Sequence, residues 1–287
     1  MRYLKYILLI FSIGVMAFPV FGELNSYGQK RVLPTIDQEE GRRRINEFRN
    51  FRYSGDICFN FTLINKSCRG HEERYTGTLW STWNNQGPVT RVELTPGQSP
   101  GSSSLRLLIQ NGPAPKIWRL GEENKIYPLP EQAWFSPLFN NIAYTPFEFS
   151  LSFLFWPEFT YQGPQKVKGR VAQVFIMLPP ANLVQAIPNL GGMHLAMDME
   201  YNVLLQADML NKSNESVKSI RLNSFKKVNG EYIIKQFDVI DNVTGDKTRF
   251  EVDSAALGLS IDPSYFLPEN LALPNPQISC EYFSFLH

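Results

Sequence analysis

The sequence is short of the residue types that do covalent chemistry. It has three cysteines and three histidines in 287 residues. His71, His194 and His287 show no metal-ligand spacing with one another or with a cysteine. No phosphate loop and no dinucleotide fingerprint occurs, so no cofactor and no metal is expected. Excess charge of one sign is also missing. The chain carries 28 basic and 27 acidic residues, which argues against a nucleic-acid partner. Long apolar runs are scarce as well. One runs from Ile7 to Phe21, interrupted by Pro19, after the short basic start Met1–Tyr6. It falls below the roughly twenty unbroken apolar residues that span a bilayer. It reads as a cleaved secretory signal, with small-residue cleavage points after Ala17 or Gly22. No cysteine follows it at a lipobox, so a soluble exported protein is expected.

Three patterns imitate chemistry. Gly97-Gln-Ser-Pro-Gly101 matches the G-x-S-x-G nucleophile elbow, but the residue after Ser99 must supply an oxyanion-hole N–H and Pro100 has none. It reads as a flexible loop. Asp198 and Glu200 form a carboxylate pair of the type that cleaves glycosides, yet two acids on one strand face are common. His194 alternates with Ala196 and Asp198 and reads as an outer-face residue. An esterase or glycosidase is therefore a distant alternative, and the chain is expected not to be an enzyme.

Aromatics are abundant: 21 Phe, 12 Tyr and 5 Trp. More of them than an ordinary core needs implies a lined cavity or a sticky face. In an oxidising compartment Cys58 and Cys68 are a disulfide candidate, with Cys280 left over. Spacing alone does not decide that pairing.

Residues 1–22 are read as the signal, 23–261 as one domain and 262–287 as an irregular Pro-rich tail. A helix is expected over about 36–50, started by a Thr35-Ile-Asp-Gln38 capping box, weakened by Gly41, and buried through Ile45, Phe48 and Arg52. Short strands then alternate with turns: 53–63, 74–83, 88–94, 105–110, 115–120 and 125–129. A second β block covers 165–178, 193–210, 217–228, 231–241 and 247–259, with a hairpin turn at Asn229-Gly230. Between the blocks, Thr145-Pro-Phe-Glu148 carries helix-start signals, so a helix over 147–155 is expected with Phe147, Leu151, Leu154 and Phe155 on one face, ending at Pro157. In the strand at 193–201, Met193, Leu195, Met197, Met199 and Tyr201 point one way. A methionine row makes a compliant apolar surface, in a cavity or in a core.

Arg74-Tyr-Thr-Gly-Thr-Leu-Trp80, Trp156-Pro-Glu-Phe159, Ser224-Phe-Lys-Lys-Val-Asn-Gly-Glu-Tyr232 and Lys247-Thr-Arg-Phe-Glu-Val252 resemble the LolA-like outer-membrane lipoprotein-sorting family. The resemblance covers about residues 45–260. It implies a mainly β fold with a few helices (α+β), an incomplete antiparallel β-barrel or half-barrel wrapped around helices. It also implies a periplasmic home and an apolar cavity for lipoprotein acyl chains or another lipid. Inner- and outer-membrane transfer proteins would be partners. For the family's lid-contacting arginine, Arg91, Arg106 and Arg170 stay open. Trp80, Met193, Leu195, Met197, Met199 and Tyr201 are the expected pocket wall, and Phe147, Leu151, Leu154 and Phe155 its plug or lid. A lipid- or lipoprotein-sensing regulatory module of the RseB type is the alternative to a carrier, and a plain structural envelope protein is a further one.

Overall fold

The computed structural model describes residues 35–68, 70–97, 104–139, 142–198, 200 and 203–286. The signal segment, Ser99 with its elbow pattern, Met199 and Tyr201 lie outside the described residues.

The first element is α1, Gln38–Arg49, with Ile45 and Gly41 buried. Its cap is Asp37, whose carboxylate accepts from the N–H of Glu40. The expected Thr35 box is displaced by two residues, because an ionised Asp nearer the helix start meets the same orphan donors. Gly41 has a packing reason: a β-carbon there would lie 2.8 Å from Cε1 of Phe175.

The strands are β1 Asp56–Lys66, β2 Glu72–Asn84, β3 Gly87–Pro96, β4 Leu105–Gln110, β5 Lys116–Leu120 and β6 Ile126–Pro128 in the first block. The second block holds β7 Glu158–Val167, β8 Arg170–Leu178, β9 Leu190–Asp198, β10 Leu204–Asn211, β11 Ser216–Val228, β12 Glu231–Asp241 and β13 Lys247–Leu259. They form one antiparallel sheet in the order β6-β5-β4-β3-β2-β1-β13-β12-β11-β10-β9-β8-β7. The sheet is not closed, and this is the expected half-barrel. Each block is a meander, and the first strand of one pairs with the last strand of the other, Phe59 facing Ala255 and Leu63 facing Phe250.

Two expected segments divide. Residues 165–178 and 193–210 each read as one strand, but Lys168-Gly169, both at positive φ, turn β7 into β8, and β9 ends at Asp198 before its antiparallel neighbour β10 begins at Leu204. A short helix, α3 at Ala181–Ala186, was not foreseen.

Period-two alternation sorts the sheet faces. Phe59, Phe61, Leu63, Tyr75, Leu79, Val92, Leu94, Phe175, Leu195 and Phe250 join the main core on the inner face. Gly77 has no side chain there, and the Phe61 ring takes the space, since a β-carbon would come within 2.4 Å of its Cζ. Phe61, Phe250 and Phe237 stack across β1, β13 and β12 with centroids 4.7 and 4.8 Å apart.

The tail covers the outer face. Ile261, Phe266 and Leu271 pack with Cys58, Trp80, Val89 and Leu108 in a separate cluster. Arg91, fully buried, holds this stretch in place. Its guanidinium donates to the carbonyls of Tyr265, Asn270, Leu271 and Leu273 and to Asn275 Oδ1, at 2.7 to 3.2 Å. At the end, β14 (Ser284–Phe285) pairs with β13, and buried Lys235 donates to the Leu286 carbonyl at 2.7 Å.

The Cys58–Cys68 bridge is corrected. Cys58 lies inside β1, between Trp80 and Ala256, whereas Cys68 lies beyond the far end of that strand, its N–H on Asp246. The eight extended residues from Cys58 to the strand end at Lys66 alone span about 27 Å, and a disulfide needs α-carbons within about 7 Å. All three thiols are free, and burial pushes Cys58 up to about 12.

Candidate ligand-binding site

Because β6 and β7 are opposite edges yet consecutive in the chain, the connection between them must cross the open side of the sheet. That connection is the Phe-rich segment, and it fills the inner face. Trp134, Leu138, Ile142, Tyr144, Phe147, Phe153 and Trp156 are all buried in the main core. Phe147 stacks on Phe135 at 4.5 Å, and Phe149 meets Tyr144 edge-on at 4.7 Å. Each such pair adds about 0.5–1.5 kcal/mol to the area it buries. Residues 131–139 and 142–156 thus form a plug that occupies the hollow and does not merely roof it.

The expected helix over 147–155 is broken. α2 spans Pro146–Ser150 with the capping box of Thr145 and Glu148 in place. Leu151 then turns left-handed, φ 47° and ψ 32°, and a 3-10 turn follows at Ser152–Phe155. The hydroxyl of Ser150 drives the break, donating to the Phe147 carbonyl at 2.9 Å and accepting the N–H of Ser152 at 3.2 Å. Serine offers the backbone this alternative to continuing a helix. Leucine in the left-handed region costs about 1–3 kcal/mol. Phe147, Leu151, Leu154 and Phe155 therefore do not share one helical face.

Polar contacts fasten the plug from three sides. Lys218 on β11 pairs with buried Glu148 at 3.2 Å and donates to the Ala143 carbonyl at 3.0 Å. Asn111 donates to the Ser150 carbonyl. Arg49, at the end of α1, donates to the carbonyls of Leu154 and Trp156, the latter at 2.6 Å. Burial and nearby Arg42 pull the Arg49 guanidinium below its usual range. The arginine that touches the plug is this one. Arg91 and Arg106 contact the tail, and Arg170 holds Asp198 and Glu200.

Two spaces flank the left-handed turn. Leu151 lines an apolar cavity of about 150 Å³ with Phe48, Tyr53, Leu204, Ile220 and Phe237. Its neighbour Ser152 lines a second pocket of about 360 Å³ with Trp134, Phe155 and Trp156. Among the described residues, Ser152 Oγ and Trp156 Nε1 are buried side-chain atoms with no hydrogen-bond partner. A buried donor left unmet costs about 1–3 kcal/mol.

The expected site residues separate accordingly. Leu151 lines the apolar cavity. Met193, Leu195 and Met197 of β9 are brought together with Phe147 and Leu154 of the plug, but as packed core. Phe155 stands at the rim of the second pocket. Trp80 is on the outer face beneath the tail, away from the others. Phe48, expected on the buried side of the first helix, lines the cavity together with Tyr53 and Phe237 of β12, which the sequence did not mark as site residues.

On the outer face, His194, Asp208 and Ser219 cluster. Ser219 donates to Asp208 Oδ1 at 2.6 Å, and His194 Nδ1 lies 3.4 Å from Asp208 Oδ2. Asp208 sits in the middle, so the histidine cannot take the serine proton as a triad requires. Burial pushes the Asp208 carboxyl up, but the hydrogen bonds from His194, Ser219 and Gln206 outweigh it and hold it below its ordinary value. No group of three His, Cys, Asp or Glu placed to hold a metal occurs among the described residues. None of the described helices is long and apolar enough to cross a membrane.

A family model described as "-like: Uncharacterized protein" matches residues 191–272, under a third of the chain. No curated protein matches the sequence. Solved structures do match in fold. A domain described as an outer membrane lipoprotein-sorting protein from Vibrio parahaemolyticus superposes with a TM-score of 0.68 at 13% identity, covering 82% of this chain and 97% of that one. A DUF1329 family protein from Desulfovibrio piger gives 0.68 at 13% identity, covering 81% and 98%. A LolA superfamily protein from Nitrosomonas europaea gives 0.60 at 11% identity, covering 81% and 98%. The chain has the open, LolA-like half-barrel fold of these proteins.

Proposed function

We propose that the protein is a periplasmic carrier that holds lipoprotein acyl chains, or another lipid, against the inner face of its half-barrel in exchange for the plug. The observation that carries this function is the nature of the plug: an aromatic segment strung between the two sheet edges, kinked at Leu151, with an apolar cavity at the kink. Magnitudes decide how it would work. A cavity of about 150 Å³ matches one that admits a benzene-sized guest and lies below the roughly 300–1,000 Å³ of ordinary ligand pockets. The plugged state takes a chain tip only. A whole acyl chain needs the plug to move, with the cargo replacing its contacts at about 0.8 kcal/mol per CH₂ as an upper bound.

The test is direct. Mass spectrometry of the native protein looks for co-purifying lipid, and a fluorescent acyl probe measures binding. Leu151→Asp places a carboxylate in the apolar cavity and is expected to weaken the probe at least tenfold while circular dichroism stays unchanged. Unaltered affinity in a folded variant sinks the assignment. Pull-down from envelope extracts separates carrier from sensor, because a carrier retains lipoproteins and a sensor retains a membrane regulator.

A further inference from the structure

The apolar cavity beside Leu151 is walled by two separate groups of residues. Leu151, Phe48, Leu204, Ile220 and Phe237 pack with the main core on the inner face. Val203, Leu205, Leu222 and Phe225 belong to a second cluster, with Val174 and Ala196. Val174 and Ala196 face each other across β8 and β9 and alternate with the core residues Phe175 and Leu195, so this cluster marks the outer face. The cavity thus reaches from one face of the sheet to the other. Ile234, also on its wall, is 37% exposed, so it opens to solvent.

The strand register shows where it passes. β10 and β11 pair from Leu210 opposite Ser216 to Gln206 opposite Arg221, and no further. Yet β10 begins at Leu204, which still pairs with Met197 of β9, and β11 runs on against β12 to Val228 opposite Glu231. The ladders on either side continue while the one between them stops. The two strands therefore part at Leu205 and Leu222, both on the cavity wall. Lys168, on the turn between β7 and β8, reaches over β9 and β10 to this point and donates to the Leu222 carbonyl. No charged side chain is among the described lining residues. Of the polar ones, Gln206 donates to Asp208 at 2.7 Å and Tyr53 to the Tyr232 carbonyl at 3.3 Å. Apart from Leu151, the wall belongs to the sheet and to the stretch at the end of α1, so it stays in place when the plug moves.

We infer that the parting of β10 and β11 is a side port through which an acyl chain enters the half-barrel tail first, leaving its head group outside the sheet. This rests on the carrier function proposed above and adds the route and the part of the cargo that crosses. Hydrocarbon passes Leu205, Leu222 and Phe225 at no cost in solvation, whereas a charged or peptide head group would shed its water there without a partner. The bulk of the head group then has no bearing on loading, which suits a lipid that carries a protein.

The experiment staples the port. Leu205→Cys and Leu222→Cys, opposite each other if the register of Gln206 and Arg221 is continued, are combined in a full-length chain that also carries Cys68→Ser and Cys280→Ser. Stopped-flow mixing with a fluorescent fatty acid measures the association rate. Oxidation is expected to slow uptake roughly tenfold, and dithiothreitol to restore it. A control staple from Thr76→Cys to Thr95→Cys, a paired position of β2 and β3, should leave the rate unchanged. Leu222→Trp fills the gap without a disulfide and should slow uptake likewise, with circular dichroism unaltered. A bridged chain that loads at the reduced rate constant, or a folded Leu222→Trp chain that loads like the wild type, overturns the port and leaves the carrier function standing. A wild-type chain that binds no fatty acid removes both.

Discussion

Arg49 sits on a surface helix, yet its guanidinium reaches two carbonyls of the plug, those of Leu154 and Trp156. It stabilises the plugged state and has nothing to offer an unplugged one. Arg49→Ala should therefore raise the apparent affinity for an acyl probe, about tenfold if roughly 1.4 kcal/mol of closed-state stabilisation is lost. A probe titration with a matched thermal melt checks this, and weaker binding with unaltered melting would contradict it. No periodicity marks Arg49, because its role depends on where a distant turn ends. Trp80 is the opposite case. It neighbours Leu79, which faces inward, so strand alternation alone assigns it to the outer face. Its place on the outer face was thus legible from the strand alternation.

Among the elements, the plug was legible at its start and illegible at its break. Thr145, Pro146 and Glu148 are local signals and they act locally, forming a capping box. The break at Leu151 arises from the Ser150 hydroxyl and from tertiary demand for the kink, since leucine itself avoids that backbone region. Similarly, the turns that split β7 from β8 and β9 from β10 carry only one glycine between the strand ends in the first case, which the apolar runs on either side obscured. The latch between the plug and β11 is testable. Lys218→Met leaves Glu148 buried beside an alkyl chain and should cost about 3–5 kcal/mol in urea unfolding. Adding Glu148→Gln should restore part of that loss, as expected when the penalty belongs to the unpaired charge. A double variant no more stable than Lys218→Met would exclude that explanation.

At the scale of the molecule, strand count and order were readable because each meander follows turn chemistry, whereas the junction of β1 with β13 is a pairing of strands about 190 residues apart that no local pattern announces. The outer face carries much of the charge that holds the sheet in register. On Asp238, burial raises the carboxyl, but hydrogen bonds from Arg249 and Asn223 and the nearby cations lower it overall. Asp208 is likewise lowered on balance. Folded values below the unfolded one, about 3.9, mean that their stabilisation is complete above that pH and is lost as the pH falls below it. The urea midpoint should hold between pH 7 and 5 and drop below pH 4, with a shallower drop in Asp208→Asn. A midpoint unchanged down to pH 3 would show that these carboxylates do not matter to the fold.

The seam between β1 and β13 also fixes when the molecule can finish assembling. Emerging amino end first, the opening strand must wait for almost the entire polypeptide before its second neighbour arrives, and Arg91 waits longer still for the backbone oxygens it grips. Closure of the sheet at this seam is therefore postponed until β13 and the stretch that Arg91 grips have been made.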